Sequence, residues 1–513
     1  MLPLILSLVS GLLLALSFPR FGFPAVSWIA LAPLLVALTL VAPPRGGLRR
    51  AWALGLATGG GYFAGTLYWT SGVMAQYGGI VPLVSAAIAG LLVGYLALFP
   101  AAFALIVAIA LRRFGTRALL LAPPAWGATE LARTLLFGGF PWALVGYTQA
   151  TVLPIAQGAS LVGVYGLSFL VVLVSAVLAL AAVARDRSGL VAVGLTAVCV
   201  ASLAAWGAAR IADGRLTHVG TPVRVGLVQG DVPQDQKWAP GLEDDILGRY
   251  LELSRDAADQ GAEAILWPES STPFYFEDSP KGTAIRLFAR ERGVSVLLGS
   301  DERDRRNPRV SYNSAFMVRP DGTTAGVYRK VRLVPFGEYV PFRTLLFFAA
   351  PLVEAVGEFA PGEAPVTLPL AGKPVSTAIC YEVVYPALIR AGVLQGSTLL
   401  TTITNDAWFG RSSAPYQHFE MASMRAIEQG RYLARSANTG ISGIVDPYGR
   451  VLMASNLFTR QVLVGDVRLI EERTIYASIG DAVAYASVVV SLIALFMAWR
   501  PKPGARTAAW QQS

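Results

Sequence analysis

The feature that most constrains this chain is a series of apolar stretches, each long enough to cross about 30 Å of hydrocarbon as a helix. Seven lie in the first two fifths, near 2–18, 24–42, 51–74, 80–111, 118–136, 154–184 and 190–208, and an eighth lies near 480–499. Within a bilayer the backbone must satisfy its own hydrogen bonds, so these stretches are predicted to be helical. The stretch 80–111 exceeds one straight span and is expected to tilt, kink or run into the interface. The first stretch lacks the charged start of a secretory signal, and more spans follow, so it reads as a retained helix. Composition agrees: hydrophobic residues make up 54% of the 513 and charged residues 15%, against about 25% charged in soluble proteins. Disorder, a coiled coil and an ordinary soluble enzyme are excluded.

The net charge of +9 has a topological pattern. Arg45, Arg49 and Arg50, then Arg112, Arg113 and Arg117, then Arg185 and Arg187, and finally Arg500, Lys502 and Arg506 fall in alternate loops. The intervening loops hold little beyond Arg20 and Arg133. Basic loops stay cytoplasmic, so both termini are predicted to be cytoplasmic and the segment 210–478 to lie outside. No nucleic-acid partner is expected. The predicted division is a membrane domain of about seven helices over 1–209, an outer domain over 210–478, and a last span with its tail over 479–513.

The outer segment reads as α/β. Short β-branched runs at 223–228, 264–267, 294–299, 315–318, 375–379 and 398–404 alternate with amphipathic stretches such as 242–260 and 415–431. The run Gly59-Gly60-Gly61 lies inside a span, where small residues allow close helix packing. With two cysteines (Cys199, Cys380) and two histidines (His218, His418), a disulfide framework is excluded and no metal site is expected.

Three strings carry chemistry: Leu266-Trp267-Pro268-Glu269, Tyr328-Arg329-Lys330 followed by Pro335-Phe336-Gly337-Glu338-Tyr339, and Ile379-Cys380-Tyr381-Glu382. Two of them end apolar strands, where reactive groups of α/β folds collect. A thiol near its ordinary pKa needs a base, and a buried glutamate with a raised pKa serves. A lysine ammonium beside the thiol stabilises a tetrahedral oxyanion. Glu338 is expected to orient the lysine or to shuttle protons.

Glu269, Lys330 and Cys380, in this order, resemble the nitrilase superfamily, which implies an αββα sandwich. That domain placed between seven earlier spans and one later one resembles the apolipoprotein N-acyltransferase family. Gly226-Leu227-Val228-Gln229-Gly230, Lys237-Trp238, Asn405-Asp406-Ala407-Trp408-Phe409-Gly410 and the membrane-side Gly139-Phe140-Pro141-Trp142 look like the same family's motifs. The implied fold is a polytopic α-helical membrane domain of about eight spans plus a nitrilase-like domain. The implied reaction moves an acyl chain from a phospholipid, through a Cys380 thioester, to the α-amino group of a diacylglyceryl-cysteine on an apolipoprotein. Glu269 is then general base, Lys330 oxyanion stabiliser and Glu338 a supporting acid, while Trp238, Tyr381 and Glu382 contribute to activity. Trp238 is expected to wall the acyl pocket. The resemblance further implies no cofactor, a monomer, and a place in the bacterial inner membrane with the catalytic domain periplasmic.

Four further expectations rest on single features. Cys199, inside a span, reads as a small hydrophobe. His418 is a weak candidate for a Cys–His pair. Glu130 and Arg133, near an outer span end, read as a local pair or an interfacial placement, with a lipid-headgroup contact as the sharper alternative. The run 341–351, with Leu345, Leu346, Phe347 and Phe348, is too short to span and reads as an arm that dips into the outer leaflet and admits lipid, with a buried core segment as the alternative; Trp142 is a second candidate for lipid contact. Two rival functions remain: a tethered amidase that hydrolyses its thioester with water, and a transporter or receptor carrying an inactive nitrilase-like sensor.

Overall fold

The computed structural model describes residues 1–42, 47–335, 337–339 and 359–500. Its N-terminal part is a helix bundle. Five described helical stretches are long and apolar enough to cross a membrane: Pro24–Val41, Pro82–Gly138, Ala159–Ala184, Arg187–Thr217 and Ala482–Trp499, beside a shorter apolar helix, Leu2–Leu16. The count differs from the eight expected spans for physical reasons. Pro82–Gly138 runs for 57 residues and joins two expected spans in one stretch. Gly47–Leu67 has the length, but Arg49, Arg50, Thr58, Thr66 and its glycines lower its hydropathy.

Small residues set those helix contacts. A Cβ on Gly11 would lie 2.6 Å from Thr58 O, one on Gly55 would lie 2.5 Å from Pro100 O, and one on Gly59 2.7 Å from Ala97 Cα. Three helices (Leu2–Leu16, Gly47–Leu67 and Pro82–Phe114) therefore touch backbone to backbone. By contrast, almost nothing of Arg187–Thr217 is buried, and Cys199 on it is exposed. That helix forms an edge of the bundle.

The described residues of the domain that follows include twelve strands: β1 (Thr221–Gln229), β2 (Ala264–Leu266), β3 (Ser295–Arg303), β4 (Ser311–Val318), β5 (Thr324–Arg329), β6 (Thr367–Leu370), β7 (Lys373–Ile379), β8 (Leu400–Thr404), β9 (Leu433–Ala437), β10 (Gly443–Val445), β11 (Val451–Ala454) and β12 (Gln461–Leu469). They form two six-stranded sheets, in the orders β12-β1-β2-β3-β4-β5 and β11-β10-β9-β8-β7-β6. Each sheet has a parallel centre, β1-β2-β3 in one and β7-β8-β9 in the other, with antiparallel strands outside. Reading apolar runs alone finds six strands and misses β5, β6 and β9 to β12.

Period-two alternation splits each strand of the first sheet between two cores. Val223, Val225, Leu227, Leu266, Leu297 and Met317 face Val375, Ile379 and Ile403 of the second sheet. Ile265, Val296, Leu298 and Phe316 face the helices Glu243–Asp259 and Gly282–Arg292 through Ile246, Tyr250, Ile285 and Phe288. On the far side, the helices Pro386–Leu394 and Ala414–Gln429 complete an αββα sandwich. Their residues Ile389, Val393, Phe419, Met424 and Ile427 share one apolar cluster with Leu34, Trp126 and Val164 of the bundle. The second sheet therefore reaches the bundle through that helix layer, and the strand end that carries Cys380 comes with it.

Candidate functional site

Glu269 sits just past β2. Trp267 N continues the ladder to Leu297 O (2.8 Å) and Gly299 N closes on Pro268 O (3.2 Å). A Cβ on Gly299 would lie 2.6 Å from Glu269 Cα, so only glycine lets this turn pass so close to β3. Lys330 follows β5, and its ammonium, 1% exposed, donates to Glu269 Oε1 (3.0 Å) and to Glu338 Oε1 (2.9 Å). Asn313 on β4 bridges the same two oxygens from its Nδ2, at 2.7 and 2.9 Å. Asn405 N, past β8, donates to Glu269 Oε2 (2.9 Å), and Lys237 Nζ donates to Glu269 O (3.1 Å).

Cys380 directly follows β7 and opens a 3₁₀ turn, Cys380–Val384, with φ at +52°. A non-glycine residue at positive φ carries backbone strain that its surroundings must hold. Glu382 supplies part of that hold. Fully buried, it accepts at Oε2 from Ile379 N (2.8 Å) and at Oε1 from Val331 N (2.6 Å) and Arg332 N (3.0 Å), while Tyr328 OH reaches both oxygens. One carboxylate thus joins the turn after the thiol to the backbone after Lys330. Burial pushes its carboxyl up to about 7.

The electrostatics separate the three candidate groups. Burial alone would raise the Glu269 carboxyl, but the Lys330 ammonium and the Asn313 amide outweigh it and hold it below the ordinary value. This corrects the expectation of a raised base. Burial alone would lower Lys330, but Glu269 and Glu338 hold it well above the ordinary lysine value. Burial, then the charge of Glu269, push the Cys380 thiol up, with Lys330 pulling the other way. The resting site is therefore a neutral thiol beside an ionised carboxylate and a charged ammonium. Burial brings Lys237 down to about 8.

One loop of the bundle lies against this site. Arg133, buried at the end of Ala122–Leu135, donates to Phe140 O (3.0 Å), Trp142 O (2.6 Å) and Ala143 O (3.4 Å), and Glu130 Oε1 accepts from Val145 N (2.8 Å). Both residues are buried and hydrogen-bond to the loop backbone, which corrects the interfacial reading, while the Arg133 charge still acts on Glu130. The loop they hold lies against the turn after the thiol. Tyr381 stacks on Trp142 at 6.4 Å, and Tyr385 OH donates to Gly139 O (3.0 Å). Trp142 Nε1 donates to Gln417 Oε1 (2.8 Å).

His418 is no partner of the thiol. Its Nε2 faces the Cys380 carbonyl oxygen at 3.1 Å. Trp238, 50% exposed on the turn beside buried Lys237, has no ring contact among the described residues. Leu345, Leu346, Phe347 and Phe348 lie outside the described residues, as does the rest of 341–351. Asn313 carries no motif, and it lies in the polar half of β4 between Tyr312 and Ser314, so nothing local sets it apart. Lys237 and Asn405 stand in the quoted strings without a role assigned there.

Residues 10–177 match the family profile described as apolipoprotein N-acyltransferase N-terminal domain, and residues 224–475 match that of carbon-nitrogen hydrolases. The apolipoprotein N-acyltransferase of Geobacter metallireducens is 40% identical over 506 residues, 97% of this chain and 95% of that protein. That of Methylococcus capsulatus is 36% identical over 487 residues, 93% of this chain and 92% of its own. An amidase from Nesterenkonia sp. aligns in three dimensions over 52% of this chain and 97% of its own, at 22% identity and a TM-score of 0.40.

Proposed function

The chain belongs to the apolipoprotein N-acyltransferase family, and on that premise we propose that Cys380, Glu269 and Lys330 carry an acyl chain from a phospholipid to a lipoprotein amine. In the first step Cys380 Sγ attacks the sn-1 ester carbonyl while its proton passes to Glu269. Lys330 stabilises the tetrahedral oxyanion. Collapse expels the lysophospholipid alkoxide, which takes the proton from Glu269 and leaves a thioester. In the second step the α-amine of a diacylglyceryl-cysteine attacks that thioester, Glu269 accepts the amine proton, and the departing thiolate recovers it. The products are an amide and the free thiol.

Glu338 shares Lys330 and Asn313 with Glu269, and Glu382 holds the nucleophile turn. The observation that carries a lipid donor is the stacking of Tyr381, next to the nucleophile, on Trp142 of the bundle loop. A site built against a membrane loop receives its substrate from the membrane.

The same reading includes the division into 1–209, 210–478 and 479–513, a monomer, and an inner membrane whose outer, periplasmic side carries the catalytic domain. Arg112 Nε donates to Ala42 O (2.7 Å) and Arg113 Nε to Met497 O (3.4 Å). These contacts support one basic, cytoplasmic end of the bundle. The test is to incubate the full chain with phospholipid vesicles and a diacylglyceryl-cysteinyl peptide. An amide-linked third acyl chain on the peptide, with lysophospholipid formed one for one, is expected. An unmodified peptide with accumulating free fatty acid would overturn the reading.

A further inference from the structure

Behind the nucleophile lies a row of buried polar groups that the reaction above does not use. His418, on the helix Ala414–Gln429, is fully buried. Its Nδ1 lies 3.0 Å from Asp406 Oδ1 and 3.0 Å from Arg435 Nη2, and Arg435 Nη2 also donates to Asp406 Oδ2 (2.8 Å). Thr404 Oγ1 donates to Asp406 Oδ1 (2.8 Å), and Arg435 Nε to Ile441 O (3.1 Å). A Cβ on Gly440 would lie 2.4 Å from Asp406 Oδ2, so the pocket around this carboxylate has room for glycine only.

The chemistry of the donors fixes the direction of this row. A carbonyl oxygen only accepts, so His418 Nε2 must carry a proton toward Cys380 O. Nδ1 lies 3.0 Å from a donor, Arg435 Nη2, and 3.0 Å from an acceptor, Asp406 Oδ1, and the proton on Nε2 stays with either contact. Asp406 and Arg435 together fix the ring plane, and Asp406 holds the arginine. The peptide unit is planar and trans, so its N–H points opposite to its C=O. Anchoring the Cys380 carbonyl therefore aims the Tyr381 N–H, which has no acceptor among the described residues, away from His418.

We propose that His418 is a positioning residue: through Cys380 O it holds the Cys380–Tyr381 peptide so that the Tyr381 N–H faces the oxyanion, with Asp406 and Arg435 fixing the histidine. This rests on the acyl transfer proposed above. It predicts a defect in forming the tetrahedral intermediate and none in the thiol itself.

Three full-length variants test it. His418→Phe keeps a ring against Trp142 and removes the donor. His418→Gln can return an N–H at the Nε2 position. His418→Asn is one methylene too short to do so. For each, the rate of acyl-adduct formation on Cys380 from phospholipid is measured by intact mass in a single turnover, beside alkylation of Cys380 by iodoacetamide, which develops no oxyanion. His418→Phe should acylate roughly 10- to 100-fold more slowly, a fraction of the loss seen when an oxyanion donor is deleted. Its alkylation should stay within about threefold of the unmodified protein, and His418→Gln should recover most of the acylation rate. Native acylation by His418→Phe would overturn the proposal. So would an alkylation rate that falls in step with acylation, because His418 would then act on the thiol. If His418→Phe does not fold, glutamine against asparagine decides: a rate at least about tenfold higher for glutamine supports the proposal and equal rates overturn it. Failure of acylation in the unmodified protein, with alkylation intact, would count against the proposed function instead.

Discussion

Arg133 in the bundle gives its guanidinium to three backbone carbonyls, whereas Lys330 in the catalytic domain gives its ammonium to two carboxylates. Both cations are buried, and the difference lies in what each leaves behind if removed. Without Arg133, three neutral oxygens lose a partner and one loop loses its shape. Without Lys330, two buried carboxylates lose their shared cation, and the charge proposed to stabilise the oxyanion is gone. Buried charge is architectural in one region and chemical in the other, and the two meet where Trp142 stacks on Tyr381.

Lys330→Met is the largest blow to this contrast. Thioester formation from phospholipid should fall by roughly 10² to 10³, and stability should drop by about 3–5 kcal/mol as Glu269 and Glu338 lose their counter-charge. Single-turnover mass analysis of the folded protein reads the first, and denaturant unfolding the second. A variant that forms thioester at the normal rate and stalls only with the amine would remove Lys330 from the first step.

Arg133→Met should act more gently. Leaving its acceptors unpaired costs about 1–3 kcal/mol, and a displaced 140–143 loop should slow acylation from phospholipid roughly tenfold. Iodoacetamide alkylation of Cys380 should not change. If both reactions slow together, the loop supports the domain itself and not its meeting with lipid.

The pH profile tests the catalytic half alone. Glu269 must be ionised to accept the thiol proton, and its carboxyl is held below the ordinary value. The competent form is therefore complete at pH 5 and is lost only as pH falls through that lowered value. Glu382, pushed up to about 7 by burial, titrates in the same range, so the test uses Glu382→Gln, whose thioester formation should change less than about twofold between pH 5 and 7. An acid limb centred between 6 and 7 that persists in Glu382→Gln would mean that the base is raised after all.

The smallest effect belongs to the bundle. Gly59→Ala puts a methyl against Ala97 backbone and should cost about 1–3 kcal/mol by forcing two helices apart. Gly60→Ala, with nothing within 4 Å, should be neutral or stabilising by up to about 1 kcal/mol. Neither should alter the rate of the folded protein, as measured by thermal unfolding and single turnover side by side. Equal costs for the two would contradict the close packing.

Much of this arrangement is legible in the sequence, and the rest is missing for a definable reason. Apolar runs and period-two strands announce themselves locally, so the bundle, β1 to β4, β7 and β8 could be read directly. β11 and β12 could not, because β11 is largely exposed and β12 half-buried and neither forms a clean apolar run. Glu269, Lys330, Glu338 and Cys380 were legible as strings, yet the Glu269 shift opposes burial through Lys330 first and Asn313 next, 61 and 44 residues away. His418 and Arg435 are 17 residues apart and on different elements, and nothing in the spacing shows that they share Asp406. Glu130 and Arg133 looked like a pair because they are close in sequence, whereas the backbone their side chains hydrogen-bond lies between 140 and 145.

The central claim is a lipid-derived acyl chain on one thiol, and intact mass of the full chain after incubation with a single-species phospholipid tests it most directly. One added acyl mass is expected, mapped to Cys380, absent in Cys380→Ser at unchanged thermal stability, and discharged when the diacylglyceryl-cysteinyl peptide is added. An adduct that persists in Cys380→Ser, or wild-type turnover by that variant, would contradict the account.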